Sequence, residues 1–338
     1  MQKIDTILDQ PLQIGPVTAR NRVFLAPLSG ISDLPFRQLA WRHGAGLVFT
    51  EMVASRELVT DNRESLARLR GDGIDPHVVQ LAGREARWMG EAARIAEDSG
   101  AAMIDINMGC PAKKVTGGYS GSALMRDPDH ALGLIEATVN AVSVPVTLKM
   151  RLGWDHDTLN APLIAARAEA AGVRMITIHG RTRMQFYKGV ADWDAIARVR
   201  EAVTVPLIAN GDVTSRADID ECLLRSGADA VMIGRAAQGQ PWICGALAGS
   251  SDIPAGPAER NAVALEHYRL MIAHYGDDVG VRHARKHIGW YLETLAPDTP
   301  AAHKARLMTS GSADEVLGIF ADVLEAAADS PSMMESAA

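Results

Sequence analysis

Before residue 250 the chain repeats one arrangement eight times: a short apolar run, then a longer segment with helical punctuation. The runs are VFLA from Val23, LVFT from Leu47, HVVQL from His77, MIDIN from Met103, PVTLKM from Pro145, MITIH from Met175, PLIAN from Pro206 and AVMIG from Ala230. Continuous apolar runs, rather than alternating ones, fit strands buried on both faces, and helical crossovers between them make the sheet parallel. The intervening segments carry helix signals. Asp127-Pro128 pairs an N-cap with proline at the first helical position, and SRADIDECLLRSGA from Ser215 opens on a cap residue and closes on glycine. Eight such units fit a (β/α)8 barrel better than an open doubly wound sheet. The expected fold class is α/β, with a TIM barrel over residues 1–250.

At Ile253 the pattern changes through IPAGPAE, and strand-like runs stop. Leu265, Tyr268, Ile272 and Tyr275 recur on one helical face, Ile288, Leu292 and Leu295 on another, and SADE from Ser312 reads as a capping box ahead of Val316, Phe320 and Val323. A small helical domain is expected over 255–328, followed by a flexible tail at 329–338. A length of 338 residues suits this pairing of a large domain with a small one. With 47% hydrophobic residues the chain can bury a sizeable core, yet no run is long and apolar enough for a membrane helix. The N-terminus shows no secretory signal, so the expected location is cytoplasmic. Cys110, Cys222 and Cys244 are odd in number and lack C-x-x-C spacing, which argues against a disulfide framework or a zinc site. His283 and His287 have i, i+4 spacing but no evident third ligand, so phosphate contact or plain exposure is expected and no metal. A net charge of −7 excludes indiscriminate binding to polyanions; any RNA surface must be local.

Barrel chemistry sits at the C-terminal ends of the strands. Here those ends carry Pro27, Glu51, Gln80, Asn107 with Cys110, Lys149, His179, Asn210 and Gly234-Arg235. Singly, each reads as the start of a loop. As a set they suggest a site. Strands seven and eight end in ANGD and IGRAA, where small residues offer backbone N–H groups to an anion, as in the usual barrel phosphate site. A phosphate-bearing cofactor is implied. Lys149 and Gln80 could reach the polar rim of a flat ring anchored there, and reduced flavin is the ring that most needs a nearby cation. Cys110 lies between a glycine and a proline in DINMGCPAKKVTGGYSGSAL, a setting that suits a reactive thiol; Cys222 and Cys244 read as small buried hydrophobes. Gly117, Gly118 and Gly121 imitate a dinucleotide loop only weakly and read as lid hinges.

The segments APLSGISDLPFR, DINMGCPAKKV, PVTLKMRLGW, TIHGRTR, IANGD, MIGRAAQGQPWI and ARKHIGWYL occur in this order across most of the chain. As a set they resemble the tRNA-dihydrouridine synthases, above all the bacterial B-type branch. The resemblance implies an FMN-dependent barrel with a C-terminal helical domain, which reduces the C5=C6 bond of uridines in the tRNA D-loop with NADPH as reductant. It implies FMN contacts from Pro27, Leu28, Ser29, Gln80, Lys149, His179, Asn210, Gly211, Asp212, Gly234 and Arg235, with Cys110 as the catalytic residue. Substrate and tRNA contacts are assigned to Asn107, Lys113, Lys114, Arg151, Arg181, Arg183, Arg282, Arg285 and Lys286. The sequence departs from many relatives at Leu28-Ser29 and at Gly117-Gly118, the second of which leaves that loop's RNA contacts open.

The chemistry agrees with a thiol. Uracil is an electron-poor enone, so hydride addition at C6 must be completed by a proton at C5, and a thiol with an ordinary pKa near 8.5 is mostly protonated at neutral pH. Extruding a uridine costs a few kcal/mol, offset by contacts to the rest of the RNA. Residues 281–306 place five cations against two carboxylates, and Arg181 and Arg183 add charge beside strand six. The alternatives are a small-molecule FMN ene reductase or dihydroorotate dehydrogenase-like enzyme, and a barrel that binds RNA or phosphosugars without redox chemistry. The oligomeric state is open, with a monomer plausible.

Overall fold

The computed structural model describes residues 7–328; the tail expected at 329–338 lies outside the described residues. Eight parallel strands form one sheet: β1 Val23–Leu25, β2 Val53–Ala54, β3 Val78–Ala82, β4 Met103–Met108, β5 Val146–Arg151, β6 Ile176–His179, β7 Leu207–Asn210 and β8 Ala230–Ile233. Their order is β1–β8–β7–β6–β5–β4–β3–β2. The run at Leu47 differs from expectation. It makes only single bridges, Val48 to Leu25 and Phe49 to Val78, and the regular ladder with β3 begins at Val53. The cause is local: the Thr50 hydroxyl, not a main-chain carbonyl, accepts the Gln80 N–H at 2.9 Å. Backbone bonds from Leu25 to Leu47 and from Thr50 to Val78 still close the ring between β1 and β3.

The pleat sorts residues into two environments. Ile104, Ile106 and Met108 of β4, and Val146, Leu148 and Met150 of β5, pack outward in the core shared with the helices. Inside, Phe24, Phe49, Met103, Met175, Ile208 and Met232 fill the lower barrel, closed underneath by Leu12 and Ile14 of an antiparallel hairpin formed by Leu12–Ile14 and Val17–Ala19. Each large apolar side chain so buried stabilises the fold by about 1.5–3 kcal/mol.

The surrounding helices are α1 Leu34–Arg42, α2 Ala86–Asp98, α3 Pro128–Val139, α4 Ala161–Ala170, α5 Trp193–Arg200, α6 Arg216–Ser226 and α7 Ile243–Ala248. Their ends follow the sequence signals. Asp127 accepts the His130 N–H at 3.1 Å, and Ser215 and Asp218 form a reciprocal capping box on α6, which stops at Gly227 in the left-handed region.

Four further helices follow: α8 Pro257–Tyr275, α9 Asp277–Leu295, α10 Ala301–Thr309 and α11 Ala313–Ala328. Tyr268, Met271, Ile288, Tyr291, Leu307 and Phe320 form their core, and Leu39 and Trp242 of the barrel join it. At this junction the Tyr275 hydroxyl donates to Asp33 at 2.9 Å, and Phe36 packs against His267 and His287. His287 is therefore buried, not exposed or open to phosphate, and burial holds its pKa well below the usual histidine value. Among the described residues no three His, Cys, Asp or Glu side chains gather to hold a metal, and no helix is long and apolar enough to cross a membrane.

Candidate active site

A cavity of ≈ 1310 Å³ opens at the C-terminal ends of the strands. Pro27, Leu28, Ser29, Asn107, Cys110 and Lys149 line it, as do Arg151, His179, Asn210, Gly211, Asp212, Gly234 and Arg235. The sequence expectation thus assembles from distant loops into one space.

On one wall the chain leaves β4 through Gly109 and Cys110. The Asn107 side-chain oxygen accepts both amides, from Gly109 at 3.2 Å and Cys110 at 3.1 Å. Ser122 Oγ donates to the Cys110 carbonyl at 2.8 Å and Arg151 Nε to the Gly109 carbonyl at 2.7 Å. The loop is held at both polarities, so the sulfur's position is fixed by its backbone. Burial pushes the Cys110 thiol up, only partly offset by a hydrogen bond from the Ala112 backbone and by the Arg151 and Lys149 charges. It stays protonated at neutral pH. Cys222 and Cys244 are fully buried, as expected of small hydrophobes.

On the neighbouring strand, in register with Asn107, Lys149 reaches across the cavity floor, where its Nζ donates to Asn210 Oδ1 at 3.0 Å and Asn210 Nδ2 donates to the Met232 carbonyl at 2.8 Å. Burial, with Arg151 nearby, brings the Lys149 ammonium down to about 8. Burial and the Arg151 and Lys149 charges hold His179 neutral, and its Nδ1 meets no partner among the described residues. Asp212 takes Arg181 and Arg235 on its carboxylate and also the Ala191 N–H. These bonds hold it at φ 56°, beside Gly211 at φ 124°. A side chain at Gly234 would meet only Leu28, at 4.0 Å, so the backbone there is open to a ligand. A half-buried ammonium, an unpartnered ring nitrogen and open backbone suit a flat anionic group carrying a phosphate.

Other expected contacts sit elsewhere. Gln80 is fully buried under the floor, where its amide bonds Asp105 at 2.6 Å and Asn107 at 2.8 Å, and it does not line the cavity. Arg181 is 1% exposed and committed to Asp212 and the Lys188 and Gly189 carbonyls. Arg183 is buried against Trp154 and Phe186. Neither forms a basic surface for RNA: a charge this deep must be paired internally. Arg151 is also buried, yet it lines the cavity after bonding the Gly109, Thr182 and Phe186 carbonyls. On α9, Arg285 donates to the Thr309 and Ser310 carbonyls, which the end of α10 leaves unpaired, and Lys286 points toward Gly30, where an added Cβ would lie 3.4 Å from Nζ. Arg282, Lys113 and Lys114 are exposed, and Lys114 lines the cavity.

Sequence reasoning missed Asp105 and Thr147 beneath the floor and Tyr187 at the mouth. Asp105 accepts from Thr147 Oγ1 at 2.6 Å, and burial raises its carboxyl to about 6. Tyr187 lies under the Arg151 and Arg235 guanidiniums at 5.5 and 5.4 Å. Inward alternation in MIDIN and PVTLKM signals the first two; nothing in the sequence signals the third.

The family model for dihydrouridine synthase (Dus) matches residues 24–328. A probable tRNA-dihydrouridine synthase of Rhizobium leguminosarum bv. phaseoli is 64% identical over 314 residues, covering 92% of this chain and 98% of its own. The tRNA-dihydrouridine synthase B of Pseudomonas aeruginosa is 47% identical over 290 residues, covering 84% and 87%. Among solved structures, histamine dehydrogenase from Rhizobium sp. 4-9 matches with a TM-score of 0.58 at 14% identity, over 97% of this chain and 65% of that one. TcOYE with pHBA matches at 0.53 and 13%, over 71% and 92%. These two likenesses speak for the barrel alone. With a cavity built from the motif residues and a family match across nearly the whole described structure, the chain belongs to the dihydrouridine synthase family.

Proposed function

We propose that this protein reduces uridines in tRNA, at a D-loop position, to 5,6-dihydrouridine, with FMN as cofactor and NADPH as reductant. One observation carries the reading: the Cys110 thiol and the Lys149 ammonium, brought from adjacent strands, line one cavity at the mouth of the barrel. The relatives' names supply tRNA as the substrate.

Lys149, His179, Asn210 to Asp212 and Gly234-Arg235, with Pro27 to Ser29, would hold FMN. When bound and recharged by NADPH, it supplies the hydride that goes to C6 of uracil. Lys149 favours negative charge at the ring's edge. Cys110 gives its proton to C5, and water returns a proton to the sulfur. Burial keeps the thiol protonated at neutral pH, with its proton in place to give, and makes it a poor nucleophile. Asn107 and Arg151 fix the loop on which that proton sits. The exposed Lys113, Lys114 and Arg282, and Lys286 beside Gly30, offer phosphate contacts; Arg285 is drawn into the protein's own packing. The helical region from 255 acts as the tRNA-binding domain, and one chain suffices for the chemistry.

The test is nucleoside mass spectrometry of tRNA incubated with enzyme, FMN and NADPH. Cys110→Ala should remain yellow yet form dihydrouridine at least about 10²-fold more slowly. Full activity in this variant would remove the thiol from the mechanism. Equal turnover of free uridine and tRNA would favour a small-molecule ene reductase instead.

A further inference from the structure

Beneath the cavity floor runs an unbroken polar chain. Thr147 Oγ1 donates to Asp105 Oδ1 at 2.6 Å; Gln80 Nε2 donates to Asp105 Oδ2 at 2.6 Å; Asn107 Nδ2 donates to Gln80 Oε1 at 2.8 Å; and Asn107 Oδ1 accepts from the Gly109 and Cys110 amides. Asp105, Gln80 and Thr147 are fully buried, so water cannot replace these partners. A carboxylate only accepts, whereas a carboxamide has a donating and an accepting end that look alike in shape. The choice the amides leave open is thus constrained from two ends, by the Asp105 carboxylate below and by the Gly109 and Cys110 N–H groups of the loop above. With an acceptor beneath it, Gln80 must turn its NH2 down and its oxygen up; Asn107 must then turn its NH2 toward Gln80 and its oxygen toward the loop.

We propose that Asp105 is a positioning residue, whose carboxylate fixes the sense of the Gln80 and Asn107 amides and through them the place of the Cys110 loop. If the sense reversed, Asn107 would present an NH2 to two backbone N–H groups and the loop would lose that anchor. This proposal rests on the reading of Cys110 as proton donor, and its test separates the two.

Asp105→Asn keeps shape but removes the lower constraint, because Thr147 Oγ1 can accept as well as donate and either end of the new amide can face Gln80, leaving only the loop's own N–H groups to hold the sense. In the holoenzyme, Cys110 should then alkylate with iodoacetamide in two phases, the faster from released loops whose hydrated thiol has a pKa nearer the ordinary value of about 8.5. The turnover number should fall by up to about 10²-fold, with KM for tRNA nearly unchanged. Peptide mapping separates this thiol from the buried Cys222 and Cys244. The double variant Asp105→Asn/Gln80→Glu moves the carboxylate one link up the chain. The carboxylate introduced at position 80 accepts from both Asn107 and the amide introduced at position 105, so the Asn107 oxygen again faces the loop, and alkylation should return to one slow phase.

A single phase with the native pH profile in Asp105→Asn would overturn the proposal, as would two phases in the double variant. If Asp105→Asn does not fold, the double variant still must, with the native alkylation profile. Should Cys110→Ala prove fully active, the mechanism fails, but two-phase alkylation would still show the hold of Asp105 on the loop.

Discussion

Within one barrel the same strands line two unlike chambers. The lower holds Phe24, Phe49, Met103, Met175, Ile208 and Met232. One pleat further, the upper holds Asp105 after Met103, Thr177 after Met175 and Asn210 after Ile208, together with Gln80, Asn107, Thr147, Lys149 and His179. Asp105, Gln80, Thr147 and Thr177 are as buried as the apolar layer, so polarity there is not a consequence of exposure; Asn107, Lys149, His179 and Asn210 above them line the open cavity. The lower layer gains free energy from burial, while the upper layer costs it except where hydrogen bonds offset desolvation. The close-packed layer beneath keeps the polar one from relaxing, and this lets Asp105 sit raised to about 6 and Lys149 lowered to about 8. Stability and chemistry are thus stacked along the barrel axis.

The largest effect that would break this division is in the lower chamber. Phe49→Ala should cost about 3–5 kcal/mol of unfolding free energy, read from urea titrations, because a fully buried ring leaves a cavity. Dihydrouridine formation per folded molecule should stay near normal at low temperature. A matching loss of turnover in the folded fraction would mean that the two chambers act as one.

Lys149 offers a sharper test, since its lowered pKa gives two trends of opposite sign. The folded apo protein loses this proton near pH 8, whereas an unfolded lysine holds it to about 10.4. Between those values the unfolded state binds more protons, so this group makes the apo protein more stable as pH rises; below pH 8 the full penalty of burying the charge remains. Flavin affinity should run the other way, weakening by up to about tenfold per pH unit above 8 as the ammonium is lost. Fluorescence titration of FMN and thermal melts at pH 7, 8 and 9 read the two trends separately. Lys149→Met should abolish both slopes.

The upper chamber was only half legible in the sequence. Strands appear as runs of Val, Ile and Leu, and the residues ending them, Cys110, Lys149, His179 and Asn210, stand where barrel logic looks. Asp105 and Thr147 were hidden inside runs read as wholly apolar; only the alternation of facing marks them as inward, and it needs the strand's register. Arg181 and Arg183 misled for another reason. Charge is visible in a sequence but its partner is not: Arg181 pairs with Asp212, 31 residues away, and Arg183 with Trp154 and Phe186. The ring's second segment failed at a single atom, since Thr50 Oγ1 replaces a ladder acceptor. Tyr187 sits in an irregular loop, where no periodicity could point to the mouth.

The smallest effect tests whether every polar residue of the upper chamber belongs there for chemistry. Thr177 lies between Lys149 of β5 and Ile208 of β7, fully buried, and its hydroxyl meets no partner among the described residues. A shape-matched Thr177→Val should therefore stabilise the apo protein by about 1 kcal/mol, since an unsatisfied hydroxyl is removed at almost constant volume. If the hydroxyl serves the bound cofactor, FMN affinity will fall by a few-fold in the same variant that melts higher. If affinity is unchanged, Thr177 belongs energetically with the apolar layer below it, and the boundary between the chambers lies one inward-facing layer, two residues, higher on β6 than on β4.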